Sequence, residues 1–268
     1  FKCNSAMLNS LLSIMNERVI TERGKTTNCP LVSVFGASNE TPEDETLNAL
    51  YDRFLLKQVV QYCAQEDSFE RLLQGNFSSP KPKTISIDDL EAAQTFVNEV
   101  VITPATIEAL KKLKLKLMEE GLVVSDRKWV QIGKLLRAKA WLCGRYETTV
   151  EDLEILVNVL WMNPKEIKAV ERIVFALANP LHLLAIEIED QAREVHEKAP
   201  KIGDQDFATK AENALQQLTD MHTKLHKEID SSKGNTRRAV FAANRIADWH
   251  KQLAGEVLKN TRALSLKL

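Results

Sequence analysis

Three polar side chains stand at the ends of expected elements, where their types could do chemistry. Asn39 follows the apolar run "LVSVFGA". An amide at the carboxyl end of a buried strand lies where open α/β sheets present their reactive groups, and it can orient a water molecule without taking its proton. A strand-end asparagine that bonds its own loop backbone is the plainer role, and residue type alone leaves both open. Arg53 follows Leu50, Tyr51 and Asp52 at the end of a helical stretch, where a cation complements the helix dipole. An exposed guanidinium there can also reach a neighbouring subunit and neutralise charge on a transferred phosphoryl group. Such arginines contribute ~10³ to 10⁵ in rate, about 4 to 7 kcal/mol. Arg127 lies in the first helical turn after the cap pair Ser125 and Asp126. The dipole disfavours a cation at that end, so helix stability does not call for an arginine and a functional role gains ground.

Other candidate motifs fail on spacing. Gly24, Lys25 and Thr26 match the end of a phosphate-binding loop, but G-x-x-x-x-G-K-[ST] requires glycine where Val19 stands. The stretch links two extended runs and does not open a helix, so a hairpin turn is expected. His222 and His226 lie four apart on one helix, yet Thr223, Lys224 and Leu225 between them exclude H-E-x-x-H, and no third ligand is evident. No metal site is therefore expected in this chain. Lys111, Lys112, Lys114 and Lys116 read as a hydrated face, and His250 as a packed interhelix residue. Cys3, Cys29, Cys63 and Cys143 form no C-x-x-C pair and fit neither a zinc framework nor a disulfide scaffold. Free, mostly buried thiols in a reducing compartment are expected.

These groups need elements to hold them. The chain has 268 residues, of which 44% are hydrophobic, enough for about two domains and a sizeable core. Only 6% are aromatic and nine are glycine, which argues against an all-β protein built from tight turns. With 36 basic and 37 acidic side chains the formal charge is −1, so nothing draws the chain as a whole to nucleic acid or a membrane surface. No run approaches the ~18 apolar residues of a membrane span, and no stable membrane insertion is expected.

Ser5 caps a helix with Met7, Leu8, Leu11, Leu12 and Met15 at helical spacing. Strand, polar turn and strand follow, the second strand being "LVSVFGA", apolar throughout as a strand covered on both faces would be. A helix then passes into a β-branched strand around Val59 and Val60. This is a piece of a layered α/β domain, and further strands are expected upstream of Phe1. Residues 74–86, rich in Ser, Pro and Gly, read as a linker. Four helices come next, punctuated by Ser86 with Asp89, Thr103 with Pro104, Gly121, Ser125 with Asp126, Gly144 and Thr149. Beyond Pro164 there are three heptad seams. The first runs through Ile167, Val170, Val174, Leu177, Leu181, Leu184, Ile188 and Val195, broken at Pro180; the second from Phe207 to Ile229; the third through Val240, Ala243, Ile246, His250, Leu253 and Val257. Short connections make them antiparallel. The fold class is α/β plus all-α: an αβα portion over 1–73, a linker over 74–86, a four-helix lid over 87–161 and a three-helix bundle over 162–268.

The order of strand-tip Asn39, helix-end Arg53 and lid Arg127 resembles the second half of an AAA+ ATPase core. The stretches "MLNSLLSIMNERVI", "ASNETPEDETLNALYDRF" and "VSDRKWVQIGKLLRAKAWLCGR" resemble the MoxR family and, within it, the RavA (regulatory ATPase variant A) branch. The similarity covers about residues 1–161, and the bundle resembles that branch's helical extension in architecture only. The resemblance implies Asn39 as sensor 1, Arg53 as the arginine finger acting in trans and Arg127 as sensor 2. It implies ATP and Mg2+, held mainly by a phosphate-binding loop and a D-E pair upstream, so the chain reads as a fragment beginning just after the Walker B motif and inactive alone. A cytoplasmic homo-hexameric, chaperone-like remodeller with a von Willebrand factor A-domain partner is expected. The short connections leave no room for the β-rich insertion that contacts a lysine decarboxylase, so that partnership is not expected. The competing expectation is a non-hydrolysing helical adaptor with a degenerate AAA+ remnant.

Overall fold

The structure is a computed structural model that describes residues 5–22, 24–41, 45–63, 66–75, 82–201, 204, 206–232 and 234–265. Cys3 and the side chains of Ser5, Met7 and Leu8 lie outside the described residues. The chain divides into two compact units, Phe1–Val170 and Glu171–Leu268.

In the first unit, helix α1 (Ser5–Glu17) ends where Arg18 takes a left-handed conformation, φ 56°. Strands β1 (Val19–Glu22) and β2 (Lys25–Asn28) then pair antiparallel in the register Val19↔Asn28 to Glu22↔Lys25. A two-residue turn joins them and needs positive φ; Gly24, at φ 76°, meets that requirement without the penalty of a Cβ. Gly24, Lys25 and Thr26 thus belong to a hairpin, as their spacing predicted.

The sheet differs from expectation. Its second strand is Lys25–Asn28, whereas residues 31–38 and 54–63 form no strand. Phe35 is 95% exposed and Val60 88%. A strand exists through its ladder partners, and the described residues offer none to either segment. The apolar character of "LVSVFGA" is therefore real, but its two-sided burial is not found here. Helix α2 (Glu45–Tyr51) leads into a turn at Asp52 and Arg53, and α3 (Glu66–Leu73) follows. Gly36 passes so close to Phe54 that a Cβ there would lie 3.2 Å from the ring. That close approach ties the segment carrying Asn39 to the one carrying Arg53.

The helical section begins with α4 (Ile87–Glu99), capped by Ser86, whose Oγ accepts from Asp89 N–H at 3.0 Å. Helix α5 (Pro104–Glu119) is capped by Thr103, and α6 (Asp126–Leu142) by Ser125, all as the cap residues foretold. Gly121 and Gly144 end the last two with positive φ. The fourth helix is not α-helical: Val150–Asn158 is a 3-10 helix. Leu153 and Leu156 recur every third residue, Val159 continues the spacing, and all three are fully buried. A three-residue period needs three residues per turn, so burial selects the tighter helix despite its unusual length. Thr149 and Asp152 form its capping box, and Arg145 grips Asp152 with both Nη atoms.

Helix α7 (Ile167–Ala178) stops at Asn179, which caps α8 (Pro180–Glu197) by accepting from His182 N–H. Pro180 breaks the first seam as expected, becoming the N1 residue of a new helix. Helices α9 (Phe207–Ser231) and α10 (Arg237–Ser265) complete the second unit, and α8, α9 and α10 pack mutually around Ile188, Leu218, Leu225, Ile246 and Leu253. One seam position is shifted: Ala239 is buried and Val240 exposed. Contact with two neighbours widens the buried face of α10 beyond a strict heptad seam. Among the described residues, no helix is long and apolar enough to cross a membrane.

Candidate functional site

The site lies where α2 ends and α6 begins, in the first unit. Arg53 Nε donates to Asn16 Oδ1 at 2.8 Å, and its Nη1 donates to the Ala49 carbonyl. The second contact is the helix-end bond that the dipole argument anticipates. The guanidinium sits below the usual arginine range because it is partly buried and because the Arg127 guanidinium is close; Asp52 opposes both effects. Two arginines far apart in sequence thus share one neighbourhood. Arg127 is exposed. Asn39 is exposed in a bend at 39–40, where Ser38 Oγ, beside it, donates to the Glu40 carbonyl at 2.8 Å.

Asp52 holds this arrangement. Ser125 Oγ donates to its Oδ2 at 3.0 Å while accepting the N–H of Lys128 at 3.2 Å. One hydroxyl therefore caps α6 and fastens that cap to the turn after α2. Lys128 Nζ lies 2.6 Å from Asp52 Oδ1, and the lysine side chain is only 3% exposed. Burial alone would raise the Asp52 carboxyl, but the Lys128 ammonium and the Ser125 hydroxyl outweigh it and hold it below the usual carboxylate range.

Lys57 completes the cluster. It is buried, donates to the carbonyls of Val159 at 3.2 Å and Trp161 at 3.0 Å, and lies over the rings of Tyr51 and Trp161. Its backbone N–H donates to Asn158 at 2.8 Å, so the segment after Arg53 is stitched to the end of the helical section. Burial, then the neighbouring Lys128 charge, lower its pKa to about 7; Asp52 and Glu166 oppose the fall. Lys128 thus takes the carboxylate, while Lys57 is held by backbone carbonyls and aromatic faces.

The remaining candidates fall away. The His222 and His226 rings lie with centroids 4.4 Å apart and planes tilted by 57°, and the described residues contain no group of His, Cys, Asp or Glu able to hold a metal ion. Burial, then His226 and His250, lower the pKa of His222. Cys29, Cys63 and Cys143 are free, but Cys63 and Cys143 are exposed, contrary to expectation: one lies in the unpartnered segment, the other caps the C-terminus of α6. Asp52, Lys57 and Lys128 were not singled out from sequence. The available signals were a carboxylate and an ammonium adjoining the two chosen arginines, and a lysine inside the apolar run "FLLKQVV".

Comparison with known proteins bears on this geometry. Residues 1–99 match the family model described as the MoxR domain in the MoxR-vWA-beta-propeller ternary systems, and residues 105–174 match an AAA lid domain. Together these support a MoxR-family AAA+ ATPase. The Asp52 cluster therefore joins the MoxR domain to the AAA lid: Asp52 and Lys57 come from the first matched segment, Ser125 and Lys128 from the second. Uncharacterized protein MJ0079 of Methanocaldococcus jannaschii is 39% identical over 179 residues, 67% of this chain and 47% of that protein. Uncharacterized protein MJ0812 of the same organism is 37% identical over 188 residues, 70% of this chain and 50% of that protein. The chain spans about half the length of the curated relatives it matches.

Proposed function

We propose that these residues belong to an ATP-hydrolysing MoxR-type AAA+ remodeller that works as a ring, in which Arg53 and Arg127 answer to the phosphates of ATP. The observation that carries this reading is that Asp52, next to Arg53, binds Ser125 and Lys128 on the turn that bears Arg127, so that the Arg127 charge lowers the pKa of Arg53 and a phosphate beside them relieves the repulsion. Arginine suits the task because its charge persists and its planar fork binds phosphate oxygens in pairs. Since both sit on one face of one subunit, the reading has Arg53 act in trans as the arginine finger with Arg127, as sensor 2, engaging the same phosphates. Asn39, as sensor 1, orients water at the subunit's own site. Mg2+ has no fitting ligand cluster among the described residues, so no step is assigned to it here.

The narrower RavA-like branch is supported by the three-helix packing of the second unit, and a homo-hexamer in the cytoplasm goes with it. The description of the matched MoxR domain supports a vWA-domain partner. To test the reading, full-length Arg53→Ala subunits are mixed with full-length subunits disabled in their phosphate-binding loop. Mixed rings are expected to recover ATP turnover that neither parent shows. No recovery in rings shown to be mixed overturns the trans role, and a full-length wild-type protein that binds its partner without hydrolysing ATP favours the adaptor.

A further inference from the structure

We infer that Asp52 is a positioning residue that makes Arg53 and Arg127 one rigid unit, so that the lid cannot tilt without carrying the arginine finger with it. This rests on the reading above, in which both arginines meet phosphate. Asp52 is the residue immediately before Arg53, and its two oxygens are taken by two residues close to Arg127 at the start of α6, one on either side of it: Ser125 Oγ at 3.0 Å and Lys128 Nζ at 2.6 Å. The turn at 52–53 is short, closed by Asp52 N–H to Asn48 and Arg53 N–H to Leu50, which leaves little slack between Asp52 and its neighbour. On the other side the Lys128 side chain is 3% exposed and the Asp52 side chain 20%, so the ion pair is shielded from salt on its lysine side. Behind it, Lys57 fixes the following segment to Asn158, Val159 and Trp161. A buried ion pair contributes little net stability relative to an apolar pair, and its best-attested use is to specify one arrangement. Here the arrangement specified is that of the two turns that carry Arg53 and Arg127.

Two full-length variants separate this role from a charge effect and from a fold effect. Asp52→Asn makes the neighbourhood more positive, whereas Ser125→Asp makes it more negative but keeps an excellent helix cap. If local charge alone mattered, the two would change phosphate response in opposite directions. The positioning role predicts that both lower kcat for ATP by roughly 10- to 100-fold, the usual consequence of displacing a reacting group by about an ångström. KM and ring assembly stay near wild type, and turnover is measured well below the lowered melting temperature expected when Lys128 loses its partner. Ser125→Thr, which retains cap and donor, restores wild-type turnover. Because the two groups act as one, Asp52→Asn combined with Arg127→Ala is expected to lose no more than Arg127→Ala alone. Wild-type kcat in both variants, opposite responses or additive losses overturn the positioning role while Arg53→Ala still abolishes turnover. Full turnover in Arg53→Ala instead overturns the arginine reading and the positioning role with it. Should Asp52→Asn fail to fold, the Ser125→Asp and Ser125→Thr pair decides alone.

Discussion

Asp52 in the first unit and Glu189 in the second are both carboxylates that join distant segments, Asp52 through one lysine and one hydroxyl and Glu189 through two arginines, and the contrast shows how the units differ. Glu189, on α8, is 1% exposed; Arg238 and Arg245 of α10 reach its two oxygens at 2.5 and 2.6 Å. Both arginines also lie over Phe241, and Arg245 over Trp249 as well. Arginine keeps its charge across the biological pH range, so this triad is a permanent rivet between two helices that already share an apolar core. Asp52 instead pairs with the Lys128 ammonium and accepts from the Ser125 hydroxyl, while burial and the Lys128 charge lower the pKa of the nearby Lys57 to about 7. Asp52 joins the turn that carries Arg53 to the turn that carries Arg127, so that finger and lid move together. A carboxylate bridging distant segments thus fixes helix against helix in the bundle and finger against lid at the arginine site.

The largest expected effect breaks the rivet. Arg238→Met with Arg245→Met leaves the Glu189 carboxylate buried without a partner, which costs about 3–5 kcal/mol. Urea unfolding followed by Trp249 fluorescence should show this loss, while Arg238→Met alone should cost much less because Arg245 remains. A small loss in the double variant would mean that Glu189 reaches water and that the contrast with Asp52 is false.

A pH series sharpens the comparison next. Lys57 has a folded pKa of about 7, against about 10.4 unfolded. Between those values the unfolded chain binds more protons, so stability of the first unit should rise as pH climbs from about 7 to about 10. The slope is at most about 1.4 kcal/mol per pH unit. Asp52, with its carboxyl held low, stays ionised throughout and adds nothing to that slope. The urea midpoint of the first unit should therefore climb with pH in wild type and flatten in Lys57→Met. A slope that survives in Lys57→Met assigns the proton elsewhere.

The smallest effect compares two caps. Ser86→Ala removes a surface cap and a bond to the Asp89 carboxylate at 2.7 Å, both within one turn of the same helix, and should cost about 1 kcal/mol. Ser125→Ala removes a cap and a bond to the Asp52 carboxylate of another segment, and bonds to charged groups are worth about 1.5–3 kcal/mol; because this one holds two segments together and not one turn, its cost should be the greater. Equal losses in thermal unfolding would show that the Ser125 bond to Asp52 contributes no more than a local one.

Legibility in the sequence followed the range of the interaction. Ser86, Thr103, Ser125, Thr149, Gly121 and Gly144 marked helix ends correctly because a cap is settled within four residues. Pro180 marked its break for the same reason. Residues 31–38 looked like a buried strand because hydrophobicity reports what a segment can bury, whereas a strand also needs neighbours. Val240 was placed one position off because a heptad rule assumes one partner helix and α10 has two. At the site, Asn39, Arg53 and Arg127 could be chosen from their places at element ends. Asp52, Lys57 and Lys128 could not, since each has an ordinary structural reading until its partner is known.

By itself, then, the sequence determined where the capped helices start and stop, that Gly24 turns a hairpin, and which polar groups stand at element ends. Only the tertiary structure decided that Asp52 binds Ser125 and Lys128, and that Arg53 and Arg127 are neighbours. It also decided that Val150–Asn158 winds as a 3-10 helix. Caps and turns are fixed by bonds between near residues, which a linear pattern encodes. Buried charge is fixed by which distant cation excludes water from it, and no local pattern carries that information.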